Sequence, residues 1–90
     1  MDKEHMKIIE LARKVMDDSY KAIDLLVDGN TTGARKRLEF ARDSMEQLWY
    51  EIGVVEGMAS SGKDVSKLMY LMQYVYMASC GLTMAKGKVS

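Results

Sequence analysis

Proline is absent from this 90-residue chain, cysteine and histidine occur once each, and neither sign of charge is in excess. Without proline, and with abundant Met, Leu, Ala, Lys and Glu, the composition suits a chain that is helical throughout. A single cysteine, Cys80, excludes an intrachain disulfide. Its apolar neighbours lead us to expect an inert, buried thiol in a reducing compartment. The one histidine, His5, stands near the N-terminus with no cysteine or carboxylate arrangement around it, so no metal site is expected. No Ser-His or Cys-His pair can be assembled either, and the chain is expected to be neither an enzyme nor the holder of a cofactor. With 13 basic and 13 acidic side chains the net charge is zero. That balance argues against a protein built to grip nucleic acid or an anionic membrane.

Charge is missing locally as well. Leu68 to Ala85 contains no Asp, Glu, Lys or Arg, and reads as an apolar, Met-rich and Tyr-rich helix on nearly every face. Gln73, Ser79, Thr83 and three tyrosines argue against a membrane span, as does the modest density of Leu, Ile and Val. The mixed charges of Met1-Asp2-Lys3-Glu4-His5 do not form a signal peptide. A cytoplasmic protein with no membrane association is therefore expected.

Three helices are legible, at about residues 3–27, 32–58 and 64–85, within one helical domain covering 1–90. In the first, Ile9, Ala12, Met16, Ser19, Ile23 and Leu26 step by three and four. Ile8, Leu11, Val15 and Ala22 widen that stripe, while Lys7, Glu10, Lys14, Asp17, Lys21 and Asp24 mark the wet face. Asp28-Gly29-Asn30 ends the helix, with Gly29 suited to a left-handed C′ position. The second helix is expected to be capped by Thr31 or Thr32. Its Ala34, Leu38, Ala41, Met45, Leu48, Ile52, Val55 and Ala59 form an unbroken heptad-like seam. Ser61 and Asp64 have capping-box spacing ahead of the third helix. There the main stripe is read as Val65, Leu68, Met72, Val75, Ser79 and Leu82, broadened by Met69, Tyr76, Cys80 and Thr83, with Leu71, Tyr74 and Met77 on the flanks, and Gly81 and Ala85 leaving one side thin. The fold class is all-α: a three-helix, antiparallel, up-down-up bundle, completed to four or more helices by dimerisation or a bound partner.

Several motifs reduce to plainer readings. Gly57-Met58-Ala59-Ser60-Ser61-Gly62-Lys63-Asp64 matches the phosphate-loop pattern GxxxxGK until Asp64 replaces the Ser or Thr that holds magnesium. It also follows a helix rather than a strand, so it reads as a turn. Glu39, Asp43 and Glu46 line one side of the second helix as a wet face rather than a metal or catalytic cluster. Arg35-Lys36-Arg37 opens the second helix, where the macrodipole disfavours cations. Thr32, Arg35 and Arg37 are the candidate anion contact; a solvated basic face opposite the acids of the first helix is the favoured account.

Methionine is more informative. Met69, Met72, Met77 and Met84 fall on the third helix with Tyr70, Tyr74 and Tyr76 between them. Flexible, polarizable thioethers adapt to varied apolar partners, and tyrosine tolerates partial exposure. We expect Leu68, Met69, Leu71, Met72, Val75, Tyr76 and Met77 to bind a protein partner or a second copy. The order Leu68-x-x-Leu71-Met72-x-Tyr74-Val75-Tyr76 resembles the Leu-x-x-Leu-Tyr-x-Tyr-Met pattern of FliS-type flagellar export chaperones. Ala41-x-x-x-Met45-x-x-Leu48 and the Ser60-Ser61-Gly62 loop extend the likeness over residues 34–76. The resemblance implies a cytoplasmic helical bundle that holds the C-terminal segment of flagellin. The leading expectation is thus a non-enzymatic adaptor or chaperone that buries an amphipathic segment against its third helix. The alternative is an obligate homodimer with a structural or nucleic-acid-linked regulatory role.

Overall fold

The computed structural model of the chain describes residues 3–58 and 65–89. Three helices pack together: α1 (Lys3–Val27), α2 (Thr31–Met58) and α3 (Val65–Val89), with no strand among the described residues. The Ser61–Asp64 capping box and the loop half of the GxxxxGK segment lie outside them. Side-chain pairs fix the directions. Lys7 meets Glu51 and Asp18 meets Arg37, so α2 runs back along α1. Met6 and Ile9 share a surface hollow with Tyr70 and Tyr74, so α3 starts beside the start of α1. Val89 borders Arg35, Leu38 and Arg42, so α3 ends where α2 begins. The body is long and narrow, 50 × 19 × 15 Å. Helix α1 packs along both partners, and α2 and α3 meet each other less extensively.

The α1–α2 turn is three residues long because two caps overlap in it. Gly29 takes φ +83°, and its amide donates to the carbonyl of Leu26 at 3.0 Å. The Asn30 amide donates to the Leu25 carbonyl at 2.8 Å, which completes a Schellman arrangement. Asn30 then serves the next helix as well. Its side-chain Oδ1 accepts from the Gly33 amide at 2.9 Å, and its carbonyl accepts from Ala34 at 3.0 Å. Asn30, not Thr31 or Thr32, is therefore the N-cap, and both threonines are exposed. A side chain on Gly33 would come within 2.7 Å of the Asn30 amide nitrogen, so glycine leaves space for the cap.

The core follows from which residues fit between closely spaced helices. The α2 seam from Ala34 to Val55 is buried at every position read from the sequence. On α1 the buried line is Ile8, Ala12, Val15, Ser19 and Ala22, with Met16, Ile23 and Leu26 at its edge. Helix α3 continues beyond Ala85 to Val89, because Val89 is buried against the α2 N-terminus and holds the Lys86-Gly87-Lys88 turn in place. Two buried acids set the α1–α2 register. Asp18 receives Arg37 at 3.2 Å, and Glu51 receives Lys7 at 2.9 Å. The Lys7 hydrogen bond, supported by one from Glu4, holds the Glu51 carboxyl below its ordinary value, and Glu51 in turn raises Lys7.

Two outcomes follow. Replacing Asn30 with alanine removes the cap and lowers stability by about 1 kcal/mol, measured by urea unfolding. A carboxyl depressed on folding stabilises above its unfolded-state pKa and loses that effect as pH falls through the folded-state value. The raised Lys7 mirrors this, stabilising below 10.5 and losing its effect as pH rises through its folded-state value. Wild-type melting temperature should therefore drop below pH 4.5 more steeply than that of Glu51→Gln. Parallel acid limbs would show that the pair is energetically silent.

Candidate functional site

The third helix carries two seams on opposite sides. Leu71, Val75, Ala78, Leu82, Ala85 and Val89 step by four and three and are all buried. Met69, Gln73, Tyr76, Cys80, Thr83 and Gly87 step the same way and are all exposed. Since α3 bears no charge between Leu68 and Ala85, this outer seam is an uncharged surface in contact with water. Tyr70, Met77 and Met84 widen it on one flank, and half-buried Met72 widens it on the other.

Small residues share the inward side of α3 with aliphatic ones. Ala78, Gly81 and Ala85 are buried. A Cβ built on Gly81 would touch Met16 and Tyr20 of α1, at 3.9 Å from each. Together with Leu71, Val75, Leu82 and Val89 these small residues form the inward side, and α3 is rotated to present it. The rotation divides the expected partner-binding set. Leu71 and Val75, 1% and 0% exposed, belong to the core and are not open to a partner. Leu68 and Met72 pack against the core while half-buried. Met69, Tyr76 and Met77 remain exposed, at 66%, 64% and 55%. The outer seam also includes Gln73, Cys80 and Thr83, and its flank Met84, which the sequence reading did not assign to a partner surface. Cys80 is exposed rather than buried, because it lies on the face opposite Ala78 and Leu82.

Tyrosines shape the edge of this surface. The Tyr70 and Tyr74 hydroxyls are 3.2 Å apart, and their rings meet edge to face at 5.5 Å. The hydrogen bond with Tyr74 raises the Tyr70 pKa from its ordinary value. With Met6, Ile9, Glu10 and Arg13 they line a surface hollow of about 290 Å³. On α2, Trp49 lies one heptad beyond Arg42 and is half-exposed. It follows the seam residue Leu48 directly, and a helical wheel would have marked it.

The candidate anion contact is not assembled. Positions two apart in a helix point about 200° apart. Arg37 therefore turns to Asp18 and lies 6.0 Å from the Phe40 ring centre, while Arg35 borders Val89 on the α3 side. Thr32 is exposed and contributes to neither contact. Glu39, Asp43 and Glu46 are solvent-facing. Among the described residues, no three His, Cys, Asp or Glu side chains are grouped to hold a metal ion. No described helix is long and apolar enough to cross a membrane.

The placement of Leu71 can be tested directly. Leu71→Ala should cost about 2–5 kcal/mol in urea unfolding of the isolated chain, the range for a buried leucine. An unchanged midpoint would return Leu71 to the outer face. Comparison with protein-family models, curated proteins and solved structures finds no match to this chain.

Proposed function

We propose that this protein is a non-enzymatic helical interaction protein of the adaptor or chaperone kind, which takes an amphipathic helical segment onto the outer face of α3. The observation that carries this reading is the exposed, charge-free seam from Met69 to Gly87. Exposed large apolar side chains are ordinary when scattered singly. Here Met69, Tyr70, Tyr76, Met77 and Met84 are gathered on one helix with no charge among them. Contiguous apolar patches of that kind mark interaction sites. Methionine supplies an adaptable contact, and tyrosine adds a large area with a polar tip. An incoming helix would lay its own apolar stripe along the seam. Gln73 and Thr83 could set its register through hydrogen bonds. The likeness of α3 to the late helix of FliS-type chaperones supports a protein segment as the ligand class.

A hydrophobic-dye titration tests the face itself. Wild-type protein should bind the dye, and Met69→Lys and Tyr76→Lys should each weaken binding several-fold with helical circular dichroism unchanged. An amphipathic helical peptide added in excess should raise the wild-type melting temperature by mass action. Dye binding that is indifferent to both substitutions would remove α3 as the binding face. A steep loss of binding with salt would instead indicate an electrostatic partner.

A further inference from the structure

This inference rests on the outer face of α3 being the binding face; from the order of residues along it, we infer that the segment it fits is α3 of a second copy, packed antiparallel about a two-fold axis at the level of Ala78. The seam positions Met69, Gln73, Tyr76, Cys80, Thr83 and Gly87 have the four-three spacing of a helix-pairing seam. Antiparallel pairing centred on Ala78 brings all six into register and leaves none over. Met69 then lies against Gly87 of the second copy, Gln73 against Thr83, and Tyr76 against Cys80. Each layer matches a large side chain with a small one, or a polar side chain with a polar one. The two-fold axis repeats the three layers in reverse order, as an isologous interface requires.

Parallel pairing is poorer at the layers that hold the largest and smallest residues. It sets Tyr76 against Tyr76 and Met69 against Met69, while Gly87 against Gly87 leaves a gap, and packed interfaces tolerate neither overfilling nor voids. Shifting the antiparallel register by a heptad leaves seam residues at the ends unpaired. The flanks agree with the Ala78 centre. Met77 meets Met77 across the axis, and Tyr70 lies near Met84 of the second copy. The lysines of α3, Lys67, Lys86 and Lys88, all fall outside the seam. No like charges are opposed within it.

The area is sufficient. Met69, Tyr70, Tyr76, Met77 and Met84 are each about half exposed or more. Together they offer on the order of 500–600 Å² per copy, so that a pair reaches the ~1,000 Å² expected of a specific interface. The assembly would have six helices, with the two α3 helices at its centre and α1 and α2 of each copy outside.

The native thiol reports the register. In this pairing the two Cys80 residues are offset by about 6 Å along the axis, in addition to the ~4–6 Å left laterally between facing Cα atoms of helices ~8–10 Å apart, which puts their Cα atoms more than ~7 Å apart. That is beyond disulfide reach. Under mild oxidation the wild-type protein should therefore stay free of intermolecular disulfide, while Tyr76→Cys should form a covalent dimer. Peptide mapping should show the introduced thiol joined to Cys80 of the other copy. Sedimentation of the wild type should show a dimer that dissociates on dilution, and Tyr76→Lys and Met69→Lys should sediment as monomers with unchanged helix content. A Cys80–Cys80 disulfide in the wild type would overturn the antiparallel register. A wild-type monomer at every concentration, or a dimer indifferent to both lysines, would overturn the second copy as occupant. Dye binding is read at the dilution where the dimer has dissociated and the face is open, so loss of the dimer and loss of the face are distinguishable.

Discussion

In a three-helix bundle each helix can turn only one side to the shared core, and the rest of this structure depends on that limit. For α1 and α2 it is largely satisfied, since charged and polar residues surround the apolar side chains left exposed there, Met6, Tyr20, Val27, Phe40, Trp49 and Tyr50. For α3 it is not. A helix with no charge between Leu68 and Ala85 has one seam covered by the bundle and a second seam left in water. The interaction surface is what remains after the bundle has closed.

Close packing makes that remainder definite. Ala12 and Ala22 of α1, Ala34 and Ala41 of α2, and Ala78 and Ala85 of α3 are all fully buried. Small residues allow backbones to approach, and approach fixes rotation. Helix α3 packs with its Gly81 side toward Met16 and Tyr20, so its Met69 and Tyr76 are held outward. Polar groups fix the other degree of freedom, sliding along the axis. Asp18 with Arg37, and Glu51 with Lys7, tie α2 to α1 at two levels. Asn30 ties them at a third, as the end of one cap and the start of the next. The platform on which α3 lies is thereby set.

Much of the fold was readable in advance, for reasons that differ between helices. The α2 seam alternates apolar and charged positions, so its phase is unambiguous and every described position from Ala34 to Val55 is buried as read. Gly29 was legible because only a left-handed residue ends a helix so abruptly. The caps of α2 were less so, because Asn30, Thr31 and Thr32 are all competent cap residues and only the chain path selects one. Asp18 and Glu51 were not recognised as buried, since a charged residue beside an apolar stripe looks the same whether or not a partner reaches it.

Sequence alone determined that the chain forms three helices, where they lie, and that the third carries more apolar surface than two single-striped helices can cover. Periodicity fixes a helix's orientation only when its faces differ, and α3 is apolar on nearly all of them. Tertiary structure therefore decided which of its residues became core and which became surface. Leu71 and Val75 went inward, while Met69, Tyr76 and Cys80 went outward. The physical reason is both hydrophobic and steric: the inward side joins aliphatic Leu71, Val75, Leu82 and Val89 to small Ala78, Gly81 and Ala85, whereas the outer seam carries Gln73, Tyr76 and Thr83.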